Sequence, residues 1–137
     1  MPDQVTDSPA ETEAAGEHLG KRLRAGDVVL LTGELGAGKT TFVRGVARGA
    51  GSAAPVASPT FQLVRVYPGR VQVAHVDLYR IEHSTELADL GLDELADQGA
   101  VVIEWGDRLV IPDAALLDIE HLGGDRRLIR TRRDLRH

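Results

Sequence analysis

The stretch Leu30-Leu-Thr-Gly-Glu-Leu-Gly-Ala-Gly-Lys-Thr-Thr-Phe42 decides the fold. It contains Gly33-x-x-x-x-Gly38-Lys39-Thr40, the full P-loop pattern. Glycines at these places let the backbone curl until successive N–H groups point at phosphate oxygens. The predicted cradle is Gly33, Glu34, Leu35, Gly36, Ala37, Gly38, Lys39, Thr40 and Thr41. Lys39 is expected to reach the β- and γ-phosphates and the Thr40 hydroxyl to bind Mg²⁺. Before the loop, Val28-Val-Leu-Leu-Thr32 is an unbroken apolar run, as in a strand buried on both faces. After it, Phe42 and Val46, with Val43, recur at helical spacing. Gly45 interrupts that helix and implies close packing, expected against the sheet.

Working outward, Ser8-Pro9-Ala-Glu11 opens a predicted helix through a capping box with Pro at its first position. Residues 1–7 are polar and acidic and read as disordered, not as a secretory leader. Phe61–Tyr67 and Arg70–Leu78 read as a hairpin about Pro68-Gly69, with Val71, Val73 and His75 on one face. Ser84–Gly99 reads as one or two short helices and Ala100–Trp105 as a second buried strand. Two runs about Gly123-Gly124 form a second hairpin. The expected fold is α/β: a small single-domain P-loop NTPase with a central mostly parallel sheet, antiparallel hairpin additions and flanking helices. Residues 8–132 would form the domain and 133–137 a basic tail.

The chain has 137 residues, enough for one core and little else. It has no cysteine, which excludes disulfides and thiolate metal sites. No apolar run approaches a membrane span of roughly 18 residues, so a cytoplasmic protein without membrane contact is expected. Arg126–His137 carries six arginines and one aspartate, against ten basic and twenty acidic residues elsewhere. Such a tail suits RNA, phosphate or an acidic partner, or is simply a solvated strand and chain end.

A P-loop enzyme needs carboxylates for the metal's water shell and for the nucleophile. Glu104 ends Val-Val-Ile-Glu where such strands usually end in Asp, and Asp77 ends Val-Ala-His-Val-Asp. Both fall at strand carboxyl ends, the ligand side of an open α/β sheet. Ser58 and Thr60 stand where a switch segment would touch the γ-phosphate, or are hydroxyls capping a loop. Asn is absent, so an Asn-Lys-x-Asp guanine reader is impossible and ATP is the expected nucleotide. His75, Tyr79, Arg80 and Trp105 flank the carboxylates; each suits packing or an ion pair as well as catalysis. His75 and Asp77 share a strand face, but two such ligands in a chain without cysteine make a poor zinc site.

Gly33–Gly45, Ser58-Pro-Thr-Phe-Gln-Leu-Val64, His75-Val-Asp-Leu-Tyr-Arg80 and Ile103-Glu-Trp-Gly-Asp-Arg-Leu109 stand in the order of the TsaE (YjeE) family's signatures. The chain resembles that family from about residue 12 to 132, with Asp107 where Glu is usual. The resemblance implies an ATPase of bacterial tRNA threonylcarbamoyladenosine synthesis. Thr40 and Glu104 would hold Mg²⁺, and Asp77 would serve hydrolysis or the metal's outer shell. Ser58–Phe61 would be a switch, Trp105 would lie beside the nucleotide, and Arg126 would reach it from the last hairpin. The implied partners are TsaD-like and TsaB-like proteins, which attach threonylcarbamoyl to the adenosine beside the anticodon in tRNAs reading codons that begin with A. The chain itself would meet tRNA only indirectly or weakly. With no obvious arginine finger, hydrolysis by the isolated protein is expected to be slow. A small-molecule P-loop kinase and a non-catalytic nucleotide switch are the alternatives from the motif alone.

Overall fold

A computed structural model describes residues 2–34, 38–53, 64–77, 91–104 and 111–137. In chain order the elements are β1 (Gln4–Thr6), α1 (Pro9–Arg22), β2 (Val28–Thr32), α2 (Lys39–Gly49), β3 (Val64–Tyr67) and β4 (Val73–Asp77). There follow α3 (Leu92–Gln98), β5 (Ala100–Glu104), β6 (Ala115–Gly123) and β7 (Arg126–Arg133). The strands form one sheet in the order β1-β7-β6-β2-β5-β4-β3. The four inner strands β6, β2, β5 and β4 are parallel. The outer pairs β3–β4, β6–β7 and β1–β7 are antiparallel. This is the expected α/β arrangement, and both hairpins form.

The sheet is covered on both sides, which is why β2 and β5 read as continuous apolar runs. On one face Val29, Leu31, Val73 and Val102 pack with Leu19 of α1 and Phe42, Val43 and Val46 of α2. On the other, Leu30, Ala74, Val76, Val101 and Ile103 pack with Leu92, Leu95 and Ala96 of α3. Each fully buried large aliphatic or Phe side chain contributes about 1.5–3 kcal/mol of transfer free energy.

Helices α1 and α2 interlock through glycine. A Cβ on Gly16 or Gly20 would lie 2.0 or 2.1 Å from the Phe42 or Val46 carbonyl oxygen. A Cβ on Gly45 or Gly49 would lie 1.8 or 2.1 Å from the Glu13 or Glu17 carbonyl oxygen. Each helix thus offers two glycines, four apart, to the other's backbone. The close contact of Gly45 is with α1, not with the sheet. Arg48 bridges the same seam, pairing with Glu13 at 2.9 Å and Glu17 at 3.0 Å.

Two expectations about the chain ends are corrected. Residues 4–6, read as part of a disordered start, form β1 on the outer edge of β7. The buried Thr6 hydroxyl meets that of Thr12 at 2.7 Å, and Asp3 accepts from the Thr131 N–H at 2.9 Å. The terminal residues are not a loose basic tail either. Leu135 is buried in the core below α1 and α2. Asp134 pairs with Arg22 at 3.1 Å, and His137 with Asp27 at 2.7 Å. Ser8 caps α1 as expected, accepting from the Glu11 N–H at 3.2 Å.

Candidate functional site

The loop leaves β2 between its two parallel neighbours, β5 and β6, at the carboxyl edge of the sheet. Gly38 ends it with φ 101°, a left-handed conformation that favours glycine, and no side chain caps the start of α2. An uncapped helix start leaves backbone N–H groups and the positive end of the helix dipole facing the loop. Lys39 is buried, and its ammonium donates to the carbonyl oxygens of Gly33 at 2.5 Å and Glu34 at 2.9 Å. The lysine therefore folds over the loop it belongs to. Thr40 and Thr41, both half-buried, occupy the first turn of α2.

Strand register brings the two carboxylates together. Asp77 is the Cα partner of Glu104, and Glu104 that of Leu31. Partners in a parallel ladder point to the same face. Asp77 and Glu104 therefore lie side by side on the face that α2 covers, level with the last turn of chain before the loop. Glu104 is only 3% exposed and His75 not at all. The His75 Nε2 and a Glu104 carboxylate oxygen are 2.5 Å apart. The Tyr67 ring flanks the imidazole with centroids 6.3 Å apart. His75 thus stands in a buried pair with one of the two candidate carboxylates, a contact between residues 29 apart in sequence.

The last hairpin also reaches the loop, through Arg127 and not Arg126. A Cβ on Gly38 would lie 3.4 Å from Arg127 Nε. Arg127 holds its place by donating to the carbonyl oxygens of Gly124 at 2.7 Å and Arg126 at 3.0 Å. Arg126, one residue earlier on the alternating strand, turns away and pairs with Asp7 at 3.3 Å. Pro9, Thr12, Gly38, Thr41, Asp125 and Arg127 line a cleft of about 30 Å³ between α1, α2 and the hairpin. Alternation puts only one of two successive residues on the loop's side, and here that residue is Arg127.

Sequence reading missed a second link between hairpin and loop. Thr32, the residue before the loop, donates from its hydroxyl to Asp118 of β6, and Asp118 also accepts from Arg132 of β7. The hydrogen bond to Asp118 and its charge raise the Arg132 guanidinium above its ordinary pKa. The only sequence signal was an Asp in the otherwise apolar start of β6. Of the other expected site residues, Leu35, Gly36, Ala37, Ser58, Thr60 and Trp105 lie outside the described residues, as do Tyr79 and Arg80.

These groups suit a magnesium nucleotide. Mg²⁺ keeps several waters and needs only one or two protein ligands besides phosphate oxygens. Among the described residues no group of three or more His, Cys, Asp or Glu could by itself hold a metal. A hydroxyl in the first turn of α2, with two carboxylates at adjacent strand ends, matches that donor set. No described helix is long and apolar enough to cross a membrane.

The family described as "Threonylcarbamoyl adenosine biosynthesis protein TsaE" matches residues 6–132. The chain is 44% identical over 117 residues to the Streptomyces coelicolor protein called tRNA threonylcarbamoyladenosine biosynthesis protein TsaE. That match covers 80% of this chain and 79% of the relative. It is 40% identical over 129 residues to the Bacillus subtilis protein of the same name, covering 90% of this chain and 80% of that one. The fold is similar to the crystal structure of Bacillus subtilis YdiB, with a TM-score of 0.75 and 31% identity. That likeness covers 94% of this chain and 82% of the other.

Proposed function

This chain belongs to the TsaE family, and from that premise we propose that it is a Mg²⁺-dependent ATPase serving threonylcarbamoyladenosine modification of tRNA. It acts on a TsaD–TsaB complex and does not transfer the threonylcarbamoyl group itself. One observation carries the reading. The Gly38–Lys39 loop opens at the same sheet edge at which Asp77 and Glu104 stand side by side. A binding module would need the loop alone; two carboxylates beside it are what hydrolysis adds.

In this reading the loop amides and the start of α2 hold the phosphates. Lys39 exchanges its two loop carbonyls for the β- and γ-phosphates. Bound Mg²⁺ supplies positive charge across those phosphates; Thr40 would hold it directly, Glu104 and Asp77 through its waters. Asp77 orients the attacking water, Ser58 and Thr60 contact the γ-phosphate, and Trp105 lies beside the nucleotide. Arg127 is the supported candidate for a cation from the hairpin, because it already lies against Gly38. The single domain has little room for an acceptor, so the output of the ATP cycle goes to partners, and tRNA is reached through them.

The test is depletion of the protein followed by mass spectrometry of tRNA nucleosides, with rescue by wild type, Lys39→Ala or Glu104→Gln. Threonylcarbamoyladenosine is expected to fall and to be restored by wild type only. An unchanged level on depletion refutes the pathway assignment. Turnover by the isolated protein near the 1–100 s⁻¹ or so of kinases would refute dependence on partners.

A further inference from the structure

The buried pair between His75 and Glu104 has no part in the reading above. We propose that His75 is a positioning residue: it donates from Nε2 to one Glu104 oxygen and fixes the direction in which the other faces the metal's waters. The inference rests on the proposed Mg²⁺–ATP chemistry and deepens it. It gives β4 two tasks, presenting Asp77 at the sheet edge and holding the carboxylate of the neighbouring strand.

The surroundings support this geometry. Glu104 is 3% exposed and needs a donor in place of water. His75 supplies it at 2.5 Å. Among the described residues His75 Nδ1 has no hydrogen-bond partner. A proton there would be a buried donor without an acceptor, so the favoured tautomer carries its proton on Nε2, facing the carboxylate. His75 is fully buried, Tyr67 flanks its ring, and β4 is paired on both sides. A rigid donor on one oxygen leaves the carboxylate far fewer of the arrangements its side-chain torsions allow.

Stability alone is a poor reason for such a pair. The same face of the sheet is otherwise built from Val29, Leu31, Val73 and Val102. A buried polar pair is often no more stabilising than apolar side chains of similar volume. What the imidazole adds is orientation, the part that partners of metal-binding groups commonly play.

The test measures ATP affinity with and without Mg²⁺, by calorimetry and by fluorescence of Trp105, the chain's sole tryptophan. His75→Leu, checked for folding by circular dichroism, should keep its metal-free ATP affinity and lose about tenfold of the Mg²⁺ enhancement. His75→Gln, whose amide reaches to the place of Nε2, should regain most of it. His75→Asn, whose amide stops at the place of Nδ1, should behave like the leucine variant and replaces it if that variant does not fold. In a Glu104→Gln background neither loss variant should change the response further. Wild-type Mg²⁺ dependence in folded His75→Leu or His75→Asn overturns the proposal. So does an equal loss in both backgrounds, which would mean that His75 acts through the core and not through Glu104. Wild-type protein whose ATP binding ignores Mg²⁺ overturns the proposal together with the ATPase reading, and shows itself before any variant is made.

Discussion

Gly45→Ala tests the interlocked helices, because local propensity and packing predict opposite signs. In a solvent-facing helix the change would stabilise by about 1 kcal/mol. Here the new Cβ would lie 1.8 Å from the Glu13 carbonyl oxygen, whereas real Cβ atoms essentially never come within 3.0 Å of such an atom. Helix α1 must therefore retreat by more than about 1 Å, and the obstacle is backbone, which has no rotamer to change. Overpacking of this kind costs about 1–3 kcal/mol, and a backbone clash belongs at the upper end. With the propensity gain subtracted, the expected loss is about 2 kcal/mol, or a melting point lower by about 5–8 °C for a domain of this size. Urea unfolding followed by circular dichroism measures it, with exposed Arg44→Ala as a control expected to change stability by less than about 0.5 kcal/mol. An unchanged or raised midpoint for Gly45→Ala would refute the claim that the two backbones meet at this glycine. The clash also strains α2, which begins at Lys39, so ATP binding should weaken as well.

Two further outcomes are expected. Arg127→Ala should weaken ATP binding by about tenfold or more, the worth of one hydrogen bond from a charged donor, while Arg126→Ala stays near wild type; equal effects in calorimetry would remove Arg127 from the site. Burial pushes the Asp134 carboxyl up, but hydrogen bonds including those from the Leu135 N–H and Arg22 outweigh it and hold the group below its ordinary 3.8. A depressed folded-state pKa gives stability that is present above the unfolded value and lost as pH falls through the folded one. Wild type should therefore exceed Asp134→Asn in urea stability at neutral pH, and the gap should close below about pH 4; a gap constant down to pH 2.5 or so would contradict this.

The loop, its strand and its helix were legible because their signals are consecutive. Gly33 to Thr40 is a motif of fixed spacing, and Val28–Thr32 and Phe42–Val46 carry their periodicities within a few residues. Asp77 and Glu104 were legible as strand ends for the same reason. The family signatures added the pathway, on residues whose chemistry the loop alone does not require.

What the sequence determined by itself is therefore most of the local structures, and a P-loop motif with acidic residues at two strand ends. Tertiary structure decided which residues meet. It made residues 4–6 an edge strand, docked Leu135, turned Arg127 and not Arg126 to Gly38, and set His75 against Glu104. It also seated Gly45 on α1 and not on the sheet. Each of these depends on strand register or on helix approach between segments up to 128 residues apart. A slip of one residue in register would send every side chain of a strand to the other face. The sum of packing over the whole sheet fixes that register, so it could not be read in any one stretch of the chain.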